Sequence, residues 1–355
     1  MNRRWLRVSA LMLLFTASIL AAQTLRQQAS EAGIMLGAAV NVHYLSEAAY
    51  TSTLSREFNM LEPEDAMKWE ILRPNEKSFD FKDADRIVEF ARTHAMKVRG
   101  HNLVWGTHNP KWLTQGSYPS QMLSALLRDH INQVVGHFRD KVFAWDVVNE
   151  AFDEKGKLRD SIWYNRPGIG AGSGTAYIEQ AFRWAHEADA QALLFYNEAE
   201  AEELNPKSDA IYAMIQDFRR RGVPIDGIGF QMHIYNLNPN STSIAANFTR
   251  FSKLGIQIHI TEMDVALPVT ETGTVKEPGD LERQAKIYEE IAEICLQTPG
   301  CTAIQTWGVT DKYSWLGWAT HQTGGAGLLF DREYHPKPAY KAIEKALNRR
   351  SSQQN

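Results

Sequence analysis

The sequence predicts an α/β fold, a single (β/α)8 TIM barrel. Eight short apolar runs alternate with segments of helical periodicity, and in seven of the eight the polar or aromatic group comes late. The first two runs span 35–40 and 58–62. A helix over 81–95 places Ile87, Phe90 and Ala91 on one face. It leads to a strand over 97–105, which carries His101 and Trp105. A helix over 120–138 repeats Leu123, Leu127, Ile131 and Val134 at helical spacing, and the strand 142–150 after it ends in Asn149 and Glu150. Helix 176–189 precedes strand 192–198, with Tyr196 and Asn197. Helix 206–221 precedes strand 227–233, with Gln231 and His233. Helix 243–254 precedes strand 256–264, with Glu262, and helix 280–297 precedes strand 303–309, with Trp307. A last helix is read over 338–348. Short continuous apolar runs suit parallel strands buried on both faces. A doubly wound open sheet would alternate in the same way, but no glycine-rich phosphate turn follows the first strand. No linker or charge block divides residues 23–355, which read as one domain.

Residues 1–22 stand apart. Arg3, Arg4 and Arg7 precede an apolar run from Val8 to Leu20 that ends in Ala21 and Ala22, the pattern of a secretory signal peptide. The run is short for a membrane span. The mature protein is therefore expected to be secreted, extracellular or periplasmic, and free of the membrane. The whole chain carries 38 basic and 42 acidic residues, net −4; without the three leader arginines, 35 bases and 42 acids leave −7. That balance gives no reason to expect nucleic acid as a partner. It suits a soluble protein, expected to be monomeric, acting on a neutral polymer. Cys295 and Cys301 are the only cysteines, and an even count behind a leader predicts a disulfide. Two thiols without clustered histidines do not make a zinc site.

Glu150 closes VFAWDVVNE, and Glu262 lies in IQIHITEMD. Carboxyl groups at two separate strand ends are what hydrolysis of a glycosidic bond needs. One protonates the leaving oxygen and the other meets the oxocarbenium-like centre. Around them lie GHNLVWG (100–106), GFQMHI (229–234) and TWGVTDKYSW (306–315). From about Glu62 to Lys337 this set resembles glycoside hydrolase family 10, typified by endo-1,4-β-xylanases. The resemblance implies Glu150 as general acid/base, Asn149 as a partner of a sugar hydroxyl beside the cleaved bond, and Glu262 as nucleophile. His233 and Asp264 are then expected to orient Glu262. It further implies substrate contacts from Glu64, Lys68, His101, Trp105, Gln231, Trp307 and Trp315, with xylan or a xylo-oligosaccharide as the partner. Cleavage should retain configuration through a covalent glycosyl-enzyme, with no cofactor and no metal. A His/Asp/Glu cluster can bind metal, but no HExxH-type spacing occurs.

Strand geometry constrains these roles. Glu262 and Asp264, two apart, share a face, whereas the neighbours Asn149 and Glu150 reach one cleft only if the strand ends or bends there. Glu64 and Lys68, four apart, also read as a surface helix pair. Gly106 and His108 stand where the family usually has histidine and glutamine, Asp65 where it has asparagine, and Ala199 where tyrosine is common. The first three are expected to weaken hydroxyl binding more than one ring from the cleaved bond. Two readings compete with a xylanase: the same barrel acting on β-1,4-glucosyl or aryl β-glycoside substrates, and a carbohydrate-binding protein without catalysis. Sequons at Asn240 and Asn247 matter only if the host glycosylates secreted proteins.

Overall fold

The computed structural model describes residues 23–170 and 174–354, so the leader read at 1–22 lies outside the described residues. Eight parallel strands form the barrel: β1 (Met35–Val40), β2 (Met60–Pro63), β3 (Lys97–Trp105), β4 (Ala144–Asn149), β5 (Leu193–Glu198), β6 (Gly227–Phe230), β7 (Gln257–Val265) and β8 (Cys301–Thr306). Each pairs with the next, and β8 also pairs with β1, with Met35 opposite Ala303 and Leu36 opposite Ile304, so the sheet has no free edge. Three strands end earlier than their apolar runs suggest. β4 stops at Asn149 because Glu150 takes a left-handed φ of 52°. β6 breaks after Phe230, with Met232 at φ 66°, and pairing resumes at His233–Ile234 against Asp264 and Val265 of β7. β8 ends at Thr306, two residues before Gly308 turns the chain at φ 133°.

Helices cover the outside of the barrel. Ser120–His137 buries Leu123, Leu127, Ile131 and Val134, the stripe that its periodicity predicts. The interior is not uniformly apolar. Arg99 is fully buried on the axis, where its guanidinium meets Asp146 and lies 3.3 Å from Glu62 and 2.8 Å from Nδ1 of His259. Gln305 donates to Glu62 (2.8 Å), so strands 243 residues apart share one polar network. A buried charge is tolerable only when paired in this way.

A helix that the apolar runs do not announce, Leu25–Glu31, begins with a capping box of Thr24 and Gln27 and packs on the last helix, Pro338–Gln354. Arg26 donates to the carbonyls of Ser55, His94 and Ala95. Cys295, near the end of helix Gly279–Gln297, is disulfide-bonded to Cys301 at the start of β8. The loop is short, so chain entropy assigns the bond about 2 kcal/mol. Replacing both cysteines by serine should lower the melting temperature by a few degrees and leave kcat unchanged. Two alkylatable thiols in the native protein would contradict this. Asn240 caps helix Ser241–Ser252, whereas Asn247 is buried with its amide donating to the carbonyls of Ala201 and Glu202. The second sequon is therefore closed to modification in the folded protein. Among the described residues no helix is long and apolar enough to cross a membrane.

Candidate active site

The C-terminal ends of β3 to β8 converge on one mouth, and most of the sequence-predicted residues meet there. Glu150, just past β4, is half-buried. Its Oε1 accepts from Nε2 of Gln231 (2.8 Å) and its Oε2 from the indole of Trp105 (3.1 Å). The left-handed φ at Glu150 supplies the bend that lets adjacent Asn149 and Glu150 serve one cleft. Glu262, on β7, is buried. Its Oε1 accepts from the side-chain amide of Asn197 (2.7 Å) and its Oε2 lies 3.2 Å from Nε2 of His233. The same Asn197 amide donates to Oδ1 of Asn149 (2.9 Å). Glu150, Gln231, Asn149, Asn197 and Glu262 thus form one hydrogen-bonded series across the barrel mouth, in which the Gln231–Asn149 link is the longest at 3.4 Å.

His233 sits between two carboxylates, with Nδ1 3.1 Å from Asp264. Burial opposes its charge, but the field of Asp264 and the bonds to Asp264 and Glu262 outweigh that and raise its pKa to about 10. At neutral pH it is a cation beside Glu262. Trp315 donates its indole N–H to the other Asp264 oxygen (2.7 Å) and tilts over His233 at 4.7 Å. Trp307 is buried, edge-on to His101 (5.5 Å) and to His233 (6.3 Å). His101 reaches down to Asp146 (3.1 Å). Burial works against its charge, yet Asp146, Glu62 and Glu262 raise its pKa.

Glu64 and Lys68 lie on the bend after β2 rather than on a helix face, and Lys68 pairs with Asp65 (2.7 Å) instead of Glu64. The Lys68 ammonium also stands 5.6 Å from the centre of the Trp105 ring. Burial, with Asp65 beside it, pushes Glu64 up to about 7 against the pull of Lys68 and Asn41. At Gly106 an added Cβ would meet Ser161 at 3.5 Å, an ordinary van der Waals contact. His108 lies flat against Trp105, ring centres 4.4 Å apart and 11° from parallel.

The sequence shows Asn197 only as a polar residue late in β5; its bonds to both Asn149 and Glu262 depend on how β4, β5 and β7 align. Nor does the sequence single out Glu62, Arg99, Asp146 and Gln305 beneath the mouth. Their signal is a polar residue inside an apolar run. Glu62, His101 and Asp146 hold ligand atoms within 4.8 Å of one another. The Arg99 guanidinium already contacts both carboxylates and supplies the positive charge that a metal would bring.

Fold and site together define a barrel whose mouth holds two carboxyl groups among tryptophans and amide donors, the arrangement suited to glycosidic bonds. The family model described as glycosyl hydrolase family 10 matches residues 24–346. The chain belongs to that family. It is 44% identical over 326 residues to endo-1,4-beta-xylanase B of Thermotoga neapolitana, covering 91% of each chain. It is 38% identical over 322 residues to exoglucanase XynX of Acetivibrio thermocellus, covering 87% of this chain and 28% of that one. Xylanase 10B of Thermotoga petrophila, solved with xylobiose, superposes with a TM-score of 0.88 at 43% identity, covering 94% of this chain and 99% of that one.

Proposed function

We propose that this chain is a secreted, retaining endo-1,4-β-xylanase that cleaves internal bonds of xylan by double displacement. One observation carries the reading: the hydrogen-bonded series from Glu150 to Glu262 holds both carboxyl groups at one mouth, beside Trp105, Trp307 and Trp315. Glu262 is the nucleophile. The His233 cation and the Asn197 amide hold its two oxygens. Glu150 is the acid/base, and its two donors, Trp105 and Gln231, are neutral.

In the first step Glu262 attacks the anomeric carbon, the bond to the leaving oxygen breaks, and that oxygen takes the Glu150 proton. In the second, Glu150 as carboxylate takes a proton from water, the hydroxide attacks the same carbon, and the ester to Glu262 breaks. Asn149 Nδ2 has no acceptor among the described residues, which suits it to donate to a sugar hydroxyl. Similarity to exoglucanase XynX supports a second reading, action on β-1,4-glucosyl chains, which turns on whether the cleft admits the extra CH₂OH of each ring. Reducing-sugar release from xylan should far exceed that from carboxymethylcellulose; the reverse selects the second reading, and release from neither leaves a binding protein. Proton NMR during early hydrolysis should detect the β-anomer first, and a first-formed α-anomer refutes double displacement.

A further inference from the structure

We propose that His108 is a positioning residue for the acid/base: its ring holds the Trp105 indole in the orientation from which Nε1 donates to Glu150. This rests on the reading of Glu150 as acid/base. Among the described residues two side chains hold the Glu150 carboxyl, Gln231 at one oxygen and Trp105 at the other. The Gln231 amide is shared with Asn149, so the orientation of the second oxygen depends on Trp105. Trp105 is the last residue of β3. Its carbonyl is fixed by Trp163 (2.8 Å) and Asn109 (3.0 Å), but those bonds do not orient the indole, which besides His108 has the Lys68 ammonium 5.6 Å from its ring centre and the His101 ring edge-on at 6.2 Å.

The His108 ring, parallel at 4.4 Å, opposes turning of the indole. His108 is itself held by two contacts and a constrained backbone. Its carbonyl accepts from the Glu70 N–H (3.1 Å), its Nδ1 lies 3.0 Å from the Thr107 hydroxyl, and its backbone takes a left-handed φ of 53°. A non-glycine residue in that region is uncommon and carries strain, and here the strained conformation lays the ring on the indole. Burial, with Lys68 nearby, lowers the imidazole pKa, so the stacked ring is uncharged at neutral pH. Its contribution is therefore one of shape, and another flat ring can supply it.

A stacked ring pair biases a side-chain equilibrium by about twofold to tenfold. A turned indole weakens proton delivery and leaves nucleophilic attack untouched, so the loss depends on the leaving group. The test measures kcat/KM, which reports the steps up to the glycosyl-enzyme, for dinitrophenyl and phenyl β-xylobiosides. Departure of dinitrophenolate needs little acid help, and departure of phenolate needs much. His108→Gly deletes the ring and relieves the left-handed backbone; His108→Phe keeps a ring and keeps the strain. For His108→Gly we expect a loss of about tenfold on the phenyl substrate and less than about twofold on the dinitrophenyl substrate. His108→Phe should recover most of that loss. Partial unfolding lowers both substrates alike and leaves their ratio unchanged. An equal loss on both substrates, no loss on either, or a glycine variant better than the phenylalanine variant overturns the proposal. Azide products of Glu150→Ala test the underlying acid/base reading separately.

Discussion

Glu262→Ala and Glu150→Ala should both severely impair hydrolysis of xylan, and they should fail in different ways. Without Glu262 no glycosyl-enzyme forms, so substrates with good and poor leaving groups are lost alike. Without Glu150 the loss on unactivated substrates should be about 10² to 10⁴-fold, while an activated aryl xyloside still forms the intermediate and stalls there. Azide makes the difference visible. In the Glu150 variant it attacks the glycosyl-enzyme and gives a β-glycosyl azide. In the Glu262 variant it takes the place of the missing carboxylate and gives an α-glycosyl azide. Swapped configurations would reverse the two assignments.

The second large effect is expected at His233. This cation stands between Glu262 and Asp264, both buried, and removing one partner from a buried charge cluster costs about 3–5 kcal/mol. His233→Ala should therefore unfold at clearly lower urea concentration. The pH dependence of stability has a definite sign. The folded pKa of about 10 exceeds the ordinary histidine value. The stabilisation is thus fully present below about pH 6.5 and is lost as the pH climbs through the folded value. Urea titrations from neutral to alkaline pH should show the gap between wild type and variant closing. A gap that does not change with pH would mean that His233 is not the buried cation described.

Much of the barrel and the centre of the site were legible because their signals are local. Each strand is a short apolar run, and Glu150, Glu262, His233 and Asp264 lie within motifs a few residues long. The rest depends on how distant strands align. Gln305 and Glu62 meet only because β8 closes on β1, and the registers of β3 with β4 and of β4 with β5 shift along their length. No single run discloses such a meeting. Asn197 is one polar residue in LFYNE until β4 and β7 bring Asn149 and Glu262 to its amide. The family resemblance implies Trp105 only as a substrate contact. The structure adds an edge-on role, with its N–H on Glu150 and His108 against its face. The helix Leu25–Glu31 was missed although Thr24 and Gln27 spell a capping box, because seven residues are too few to establish a hydrophobic period.

That first helix has a practical consequence. Arg26 clasps the ends of helices that run back from the mouth, at Ser55 and at His94 and Ala95, and the helix lies along Pro338–Gln354. Residue 23 therefore emerges on the side of the barrel away from the paired glutamates. A bead or carrier attached ahead of residue 23 should leave the cleft turned outward, open to an insoluble polymer.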